Sequence, residues 1–258
     1  MRIETIPCLS DNYGYLVVCD RTHEAVIVDA SESAPILKAL EAASDVKLKA
    51  VWSTHHHHDH VGGNEDVRAK YGVDVYGHAS DEGRLPAQTK FLESGDSFTL
   101  GELQVRVHHI PGHTLGAIAY VVRDGDREAV FTGDTMFVAG CGRMFEGTPE
   151  QMYGSLSWIA ALGPETLVYC GHEYTVNNLR FAESIDAGNA DVAAAVQRAK
   201  VTRAEGKPTV PSTIGEEKRI NPFLRPGSAE IREALGIAAD ADDVTAFAAI
   251  RKAKDGFR

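Results

Sequence analysis

The chain has 258 residues, 43 % hydrophobic and 24 % charged, enough for one large domain or two smaller ones with buried cores. Its formal charge of −11 argues against a general nucleic-acid or membrane surface, both of which favour clustered Lys and Arg. No apolar run reaches the length of a membrane span, and the opening MRIETIPCLSDNYGYLVV lacks the apolar core of a signal peptide, so the cytoplasm is the expected compartment.

In chain order, YGYLVVC and EAVIVDA are short apolar runs separated by a polar turn and predict strands. APILKALEAA has helical spacing, LKAVWST predicts another strand, and VGGNEDVRAKYG predicts a helix ended by Gly72. VDVYGH, LQVRVHHI, AIAYVVR, EAVFTGD and ETLVYCGH add further strands. Many strands with few, separated helices imply sheets covered by helices rather than a regular doubly wound repeat. After Tyr174 the chain turns polar, Ala-rich and helical; KPTVPSTIGEEKRINPFLRPGS is Pro-rich and reads as an ordered connector, and helical spacing returns from Ser228. A domain boundary is expected near residue 173. The four cysteines (Cys8, Cys19, Cys141, Cys170) form no CxxC pair and read as reduced thiols.

The segment STHHHHDH holds five of the chain's 11 histidines within six residues, directly after a predicted strand. Side chains of an extended segment alternate, so His55, His57 and Asp59 share one side at roughly 7 Å spacing. Curvature can bring His55 and His57 onto one ion. Asp59 and His60, at the turn into a helix, can face a second. His56 and His58 point away and read as polar or supporting residues. A structural zinc site is disfavoured, because no cysteine lies in the cluster. His113 in IPGHTLG, Asp134 in FTGDT and His172 in YCGHEY each follow a strand and sit beside a glycine, which permits close backbone approach. Together these make seven candidate ligands, the right count for two ions with one shared carboxylate. His108 and His109 read as strand residues, His23 and His78 as turn or surface positions. Asp29, at a strand end, is placed to orient a ligand imidazole.

THHHHDH, PGHT, TGDT and CGHEYT, in that order, resemble the successive motifs of the metallo-β-lactamase-fold hydrolases. GDTMFVAGCGRMFEGT, VPSTIGEEKRINPFLR and IRKAKD further resemble glyoxalase II, the hydroxyacylglutathione hydrolases, over nearly the whole chain. The resemblance implies an α/β (α+β) fold: an αββα sandwich over residues 1–172, followed by a small helical, glutathione-binding domain over 173–258. It implies one divalent ion on His55, His57 and His113, a second on Asp59, His60 and His172, and Asp134 bridging them. Zinc is the first expectation for both ions, with iron or manganese as alternatives. It further implies that Arg143, Tyr174, Arg251 and Lys254 hold the glutathione moiety. Some members carry Lys and Tyr where this chain has Arg143 and Phe145, so one hydroxyl contact is missing here, and Arg and Lys are not interchangeable at a bidentate site.

Two close ions can lower the pKa of a shared water from about 15.7 towards 7, and Asp59 can accept its proton. A thiol leaving group, with a pKa of about 8.5, departs without strong acid assistance. The resemblance selects the substrate: S-D-lactoylglutathione, cleaved to D-lactate and glutathione in the second step of methylglyoxal detoxification. It implies a small-molecule partner; charge and composition point to no nucleic acid or membrane, and a monomeric chain is expected. The main rival is a glutathione persulfide dioxygenase on the same fold, with one iron held by two His and one carboxylate. His60, His172 and the extra helical region disfavour it. A β-lactamase or RNA-processing nuclease shares HxHxDH but not the C-terminal segments. A catalytically silent binding protein would have lost ligands, and none is missing.

Overall fold

A computed structural model describes residues 1–257. The first sheet runs β1 (Arg2–Cys8), β2 (Asn12–Val18), β3 (Glu24–Val28), β4 (Lys47–Trp52), β5 (Asp74–His78) and β6 (Lys90–Leu92), side by side in that order. The second runs β7 (Ser97–Leu100), β8 (Leu103–His109), β9 (Ile118–Asp124), β10 (Arg127–Gly133), β13 (Leu167–Cys170) and β14 (Ser212–Thr213). Between β10 and β13 in sequence, β11 (Met136–Phe137) and β12 (Gly140–Cys141) form a separate hairpin. The helices are α1 (Ser33–Ala42), α2 (His58–Val61), α3 (Asn64–Tyr71), α4 (Pro149–Ala160), α5 (Thr175–Ile185), α6 (Ala190–Ala204), α7 (Ile214–Ile220), α8 (Ala229–Leu235) and α9 (Asp243–Asp255).

Alternation explains the sandwich. In β8, Leu103, Val105 and Val107 are buried while Gln104 and Arg106 are exposed, so one face packs inward. The inner faces meet through Trp52 of β4 stacked on Tyr120 of β9, ring centroids 5.1 Å apart. On the outer face of the first sheet, Ile36 and Leu40 of α1 and Val67 of α3 cover Leu16, Ile27 and Val51. On the outer face of the second, Met152, Leu156 and Ile159 of α4 cover Val121, Val130 and Val168. The start of α4 is set locally: Thr148 caps it in a reciprocal capping box with Gln151, and Pro149 opens the first turn. Phe223, Phe247 and Ile250 extend that same cluster, so the C-terminal helices and the second sheet share one core.

Two local expectations are corrected. The Pro-rich stretch expected as a connector contains β14, which pairs antiparallel with β13, and the helix α7 capped by Thr213. Pro208 and Pro211 precede those elements and Pro222 and Pro226 follow them, so none removes an N–H from the strand or the helix. His78 is no surface residue: it ends β5, is 7 % exposed, and its ring accepts from the Ser80 N–H of the following turn.

The site follows from topology. β3, β4 and β5 are parallel, as are β10 and β13, so their carboxyl ends open at one edge of the sandwich. Such edges are where loops can converge on a ligand without interrupting the sheets.

Candidate metal centre

The loop after β4 supplies His55 and His57, and α2 supplies Asp59 and His60. His113 lies between β8 and β9, Asp134 just after β10, and His172 just after β13. The structure brings all seven together. Donor atoms of His55, His57 and His113 lie within 4.8 Å of one another, as do those of His55, His60 and Asp134, and those of Asp59, His60 and His172. His57 Nδ1 is 2.9 Å from His113 Nε2, and His60 Nε2 is 3.3 Å from His172 Nε2. Asp134 reaches both groups: Oδ2 is 3.5 Å from His113 Nε2 and 3.2 Å from His172 Nε2, while Oδ1 is 3.2 Å from His60 Nε2.

These donors fit metal ions. Bonds of about 2.0–2.1 Å in tetrahedral array place neighbouring donors roughly 3.3 Å apart. His55 Nε2 is buried with no hydrogen-bond partner, and Asp134 Oδ1 has none beyond its 3.2 Å ion pair with His60, a costly arrangement unless a cation completes it. Gly171 is required beside His172, because a Cβ there would lie 2.3 Å from Asp134 Oδ1 and 2.5 Å from His60 Cε1.

The nitrogens turned away from the cluster are held individually. His60 Nδ1 is 2.9 Å from Asp29 Oδ2, His172 Nδ1 is 2.8 Å from Asp11 Oδ1, and His113 Nδ1 donates to the Arg143 carbonyl at 2.8 Å. His55 Nδ1 meets Thr54 Oγ1 at 3.1 Å, and that hydroxyl donates to Asp29 Oδ2 at 2.8 Å. Such partners fix tautomer and ring direction. Asp29 was legible as one of them; Asp11, Thr54 and a backbone carbonyl carried no sequence signal.

Burial pushes the His55 imidazole well below its ordinary range, and His60 adds to the effect. Burial, then the neighbouring His113, takes His57 down to about 4. Burial opposes charge on His60 too, but the Asp134 and Asp29 carboxylates outweigh it and hold that imidazole well above the usual value. Burial also opposes ionisation of Asp134, yet His60 and His172 keep its carboxyl well below the usual range. Asp59 is lowered in the same way: burial opposes it, and His60 and Asn12 prevail.

His56 does point away from the cluster, with Nδ1 3.2 Å from the buried Asp81 carboxylate and Nε2 accepting from Arg84 at 2.6 Å. Arg84 also pairs with Glu146, so this non-ligating histidine ties the ligand loop to the segment after Arg143. His58 is exposed.

Arg143, Tyr174, Arg251 and Lys254 line one cavity of about 470 Å³, and His113 and Asp134 line it too. Tyr174 stacks on His172 with ring centroids 4.7 Å apart. Lys254 Nζ donates to the Asn177 carbonyl at 3.2 Å and lies over the Phe181 and Phe257 rings. Arg251 is 5 % exposed; its guanidinium donates to the Cys141 carbonyl at 2.7 Å and to Asp255 at 3.1 Å. Phe145, 64 % exposed, sets its ring edge-on to both His57 and His113.

Comparison with known proteins agrees with this architecture. Residues 11–172 match the family model of the metallo-beta-lactamase superfamily, and residues 173–257 match that of the hydroxyacylglutathione hydrolase C-terminus. A hydroxyacylglutathione hydrolase from a Synechococcus strain is 47 % identical over 259 residues, covering 100 % of both chains. Among solved structures, ETHE1 from Myxococcus xanthus is 27 % identical with a TM-score of 0.66, covering 98 % of this chain and 97 % of that one. A protein solved in a di-iron-bound form is 25 % identical with a TM-score of 0.59, covering 87 % of this chain and 100 % of that one. With a sandwich, a seven-donor cluster and an adjoining cationic cavity in place, the chain belongs to the hydroxyacylglutathione hydrolases, within the metallo-beta-lactamase superfamily.

Proposed function

We infer that this chain hydrolyses S-D-lactoylglutathione, and related 2-hydroxyacyl-glutathiones, to the hydroxy acid and glutathione. The observation that carries the reading is the continuity of the cationic cavity with the donor cluster: Arg143, Arg251 and Lys254 share one lining with His113 and Asp134. In this reading His55, His57 and His113 hold one divalent ion, Asp59, His60 and His172 hold a second, and Asp134 serves both. The similar protein in a di-iron-bound form supports two ions. Imidazole and carboxylate donors suit zinc, iron and manganese alike, and zinc is the first metal to test. When bound, such a pair supplies a Lewis acid for the thioester carbonyl and a water acidic enough to attack near neutral pH.

The chain's own groups do the rest. Asp59 is the proton acceptor: its side chain is 42 % exposed, its carboxyl is held ionised, and Asn12 Nδ2 donates to Oδ2 at 3.1 Å and to the Asp59 carbonyl at 2.9 Å. One amide thus holds both the backbone and the carboxylate of Asp59. Arg143, whose side chain is 66 % exposed, and Lys254 face the two carboxylates of glutathione, and Tyr174 packs its peptide portion. The sulfur then leaves as a thiolate, whose pKa of about 8.5 removes the need for a separate acid.

The division of labour proposed is catalysis by residues 1–172 and glutathione binding by 173–258, with Arg143 contributed from the first span; family-model matches over 11–172 and 173–257 support it. The working unit is taken as a single chain in the cytoplasm; no helix among the described residues is long and apolar enough to cross a membrane. The test is a panel of thioesters assayed beside elemental analysis of one preparation. Rapid turnover of glutathione thioesters, abolished by a strong chelator, is expected. Full metal loading without turnover of any glutathione thioester overturns the reading.

A further inference from the structure

The hairpin β11–β12 is too short to hold itself. It has two residue pairs, Met136 with Cys141 and Phe137 with Gly140. Its loop is Val138–Ala139, and of these only Ala139 is left-handed, with φ 53°. That conformation is costly for a residue with a Cβ, and neither residue is the Gly, Asn or Asp that two-residue hairpin loops favour.

Thr132 Oγ1 donates to the Met136 carbonyl at 2.8 Å and the Gly142 N–H to the Thr135 carbonyl at 3.4 Å, but the 137–141 turn itself is held by the C-terminal helices. Asn178 of α5 donates to the Val138 carbonyl at 3.1 Å. Glu217 of α7 accepts from the Ala139 N–H at 2.9 Å. Asn221, at the end of α7, donates to the Phe137 and Gly140 carbonyls at 3.3 and 3.0 Å, and to Glu217 Oε2 at 3.0 Å. Arg251 of α9 donates to the Cys141 carbonyl at 2.7 Å. Glu217 and Asn221 are fully buried, and Asn178 and Arg251 nearly so. Two residues beyond Cys141, the Arg143 carbonyl accepts from His113 Nδ1 at 2.8 Å, while the Arg143 side chain lines the cavity. Residues 137–143 are therefore one continuous segment, pinned by the helices at its start and touching a metal-site histidine at its end.

We propose that Glu217 and Asn221 are positioning residues: by fixing the 137–140 turn they set the Arg143 backbone, and through it both the direction of His113 and the placement of the glutathione-facing guanidinium. The glutathione half of this statement rests on the proposed function; the His113 half does not. Coupling of this kind is carried by a contiguous, packed path: the hydrogen bonds on the hairpin are buried, backbone runs from Cys141 to Arg143, and the bond from His113 to the Arg143 carbonyl is partly buried. Burial raises the Glu217 carboxyl to about 7, so Gln keeps the shape and an acceptor for the Ala139 N–H without placing a charge in the core.

The experiment compares wild type, Glu217→Ala, Glu217→Gln and Asn221→Ser in the full chain. Three readouts are used: amide hydrogen exchange across 136–143, zinc affinity by competition with a chelator, and glutathione affinity by calorimetry. Loss of one hydrogen bond corresponds to about fivefold in an equilibrium. Glu217→Ala is expected to exchange faster at 137–141 and to bind zinc and glutathione each about fivefold more weakly, with Glu217→Gln close to wild type. If Glu217→Ala does not fold, Asn221→Ser carries the same expectation. A variant whose hairpin exchanges faster while zinc and glutathione affinities stay at wild-type values overturns the proposal. So does an unchanged exchange pattern, or a Glu217→Gln variant as impaired as Ala. If wild type binds zinc but not glutathione, the functional reading fails on its own and the positioning claim is decided by zinc affinity.

Discussion

Asp29 Oδ2 lies 2.9 Å from His60 Nδ1 and accepts from Thr54 Oγ1, which in turn meets His55 Nδ1, so one buried carboxylate orients one donor of each proposed ion. Asp29 takes a left-handed backbone, φ 54°, to turn its side chain back under the loop after β4, and its Oδ1 accepts the Thr54 N–H at 2.8 Å. Asp is among the few residues that tolerate this backbone. Replacing Asp29 by Ala is expected to weaken binding of both ions by about 10–100-fold, the usual cost of losing such a support. Stepwise zinc titration against a chromophoric chelator checks it; loss confined to a single ion would show that the Thr54 link to His55 carries nothing.

The charge pattern of the metal-free cluster gives a pH prediction. His60 and His172 have raised pKa values because, although burial opposes charge, Asp134 outweighs it in both, with Asp29 adding for His60 and Asp11 for His172. A raised imidazole pKa contributes stability that is fully present below about pH 6.5 and is lost as pH rises through the folded value. The ion must also displace these protons, so its affinity grows as pH rises. Melting curves of chelated and zinc-loaded protein between pH 6 and 9 are expected to diverge, with the gap in Tm widening as pH increases. A constant or narrowing gap contradicts the assignment of His60 and His172 as donors.

How much of this was legible without coordinates depended on distance along the chain. LQVRVHHI follows from local alternation, YGYLVVC and EAVIVDA from short apolar runs, and the pairing of His55 with His57 from period two together with curvature of the loop. Assigning His113, Asp134 and His172 to particular partners required knowing that β8, β10 and β13 end at one edge, which no local pattern encodes. The strands β1, β6, β7, β11, β12 and β14 were missed: β6, β11, β12 and β14 are only two or three residues long, and β1 (RIETIPC) and β7 (SFTL) are edge strands whose polar residues blur the apolar pattern. Asp11 was missed because an aspartate in the turn SDNYG is explained equally well by the turn itself.

Lys254 provides a kinetic signature. Burial lowers its pKa to about 8, with Arg251 and Arg180 adding to the effect. In the proposed binding mode the ammonium attracts a glutathione carboxylate below that value, and above it the attraction fades. KM for a glutathione thioester is therefore expected to rise above about pH 8, with kcat much less affected. Lys254→Arg, which stays charged, should flatten the rise. The check is KM and kcat measured separately from pH 6.5 to 9.5; a KM that is flat in wild type removes Lys254 from the carboxylate contact.

Two glycines give opposite forecasts for the same substitution. At Gly142 an added Cβ would sit 2.0 Å from the Asp134 carbonyl oxygen and 3.0 Å from His113 Nδ1. The obstructing atom is backbone, so either the segment after β12 or Asp134 must move. Displacing a reacting centre by about 1 Å is enough to cost on the order of 10²-fold in rate. Gly154, in contrast, is an exposed position inside α4 where a Cβ meets nothing within 4 Å. Ala there removes backbone freedom from the unfolded chain and is expected to stabilise the fold by about 0.5–1 kcal/mol. Thermal denaturation and turnover measured on both variants separate the two effects: Gly142→Ala should lose metal and activity while retaining its secondary structure, and Gly154→Ala should melt a few degrees higher with unchanged kinetics. Wild-type turnover in Gly142→Ala would mean that the close approach of Gly142 to Asp134 does not constrain the site.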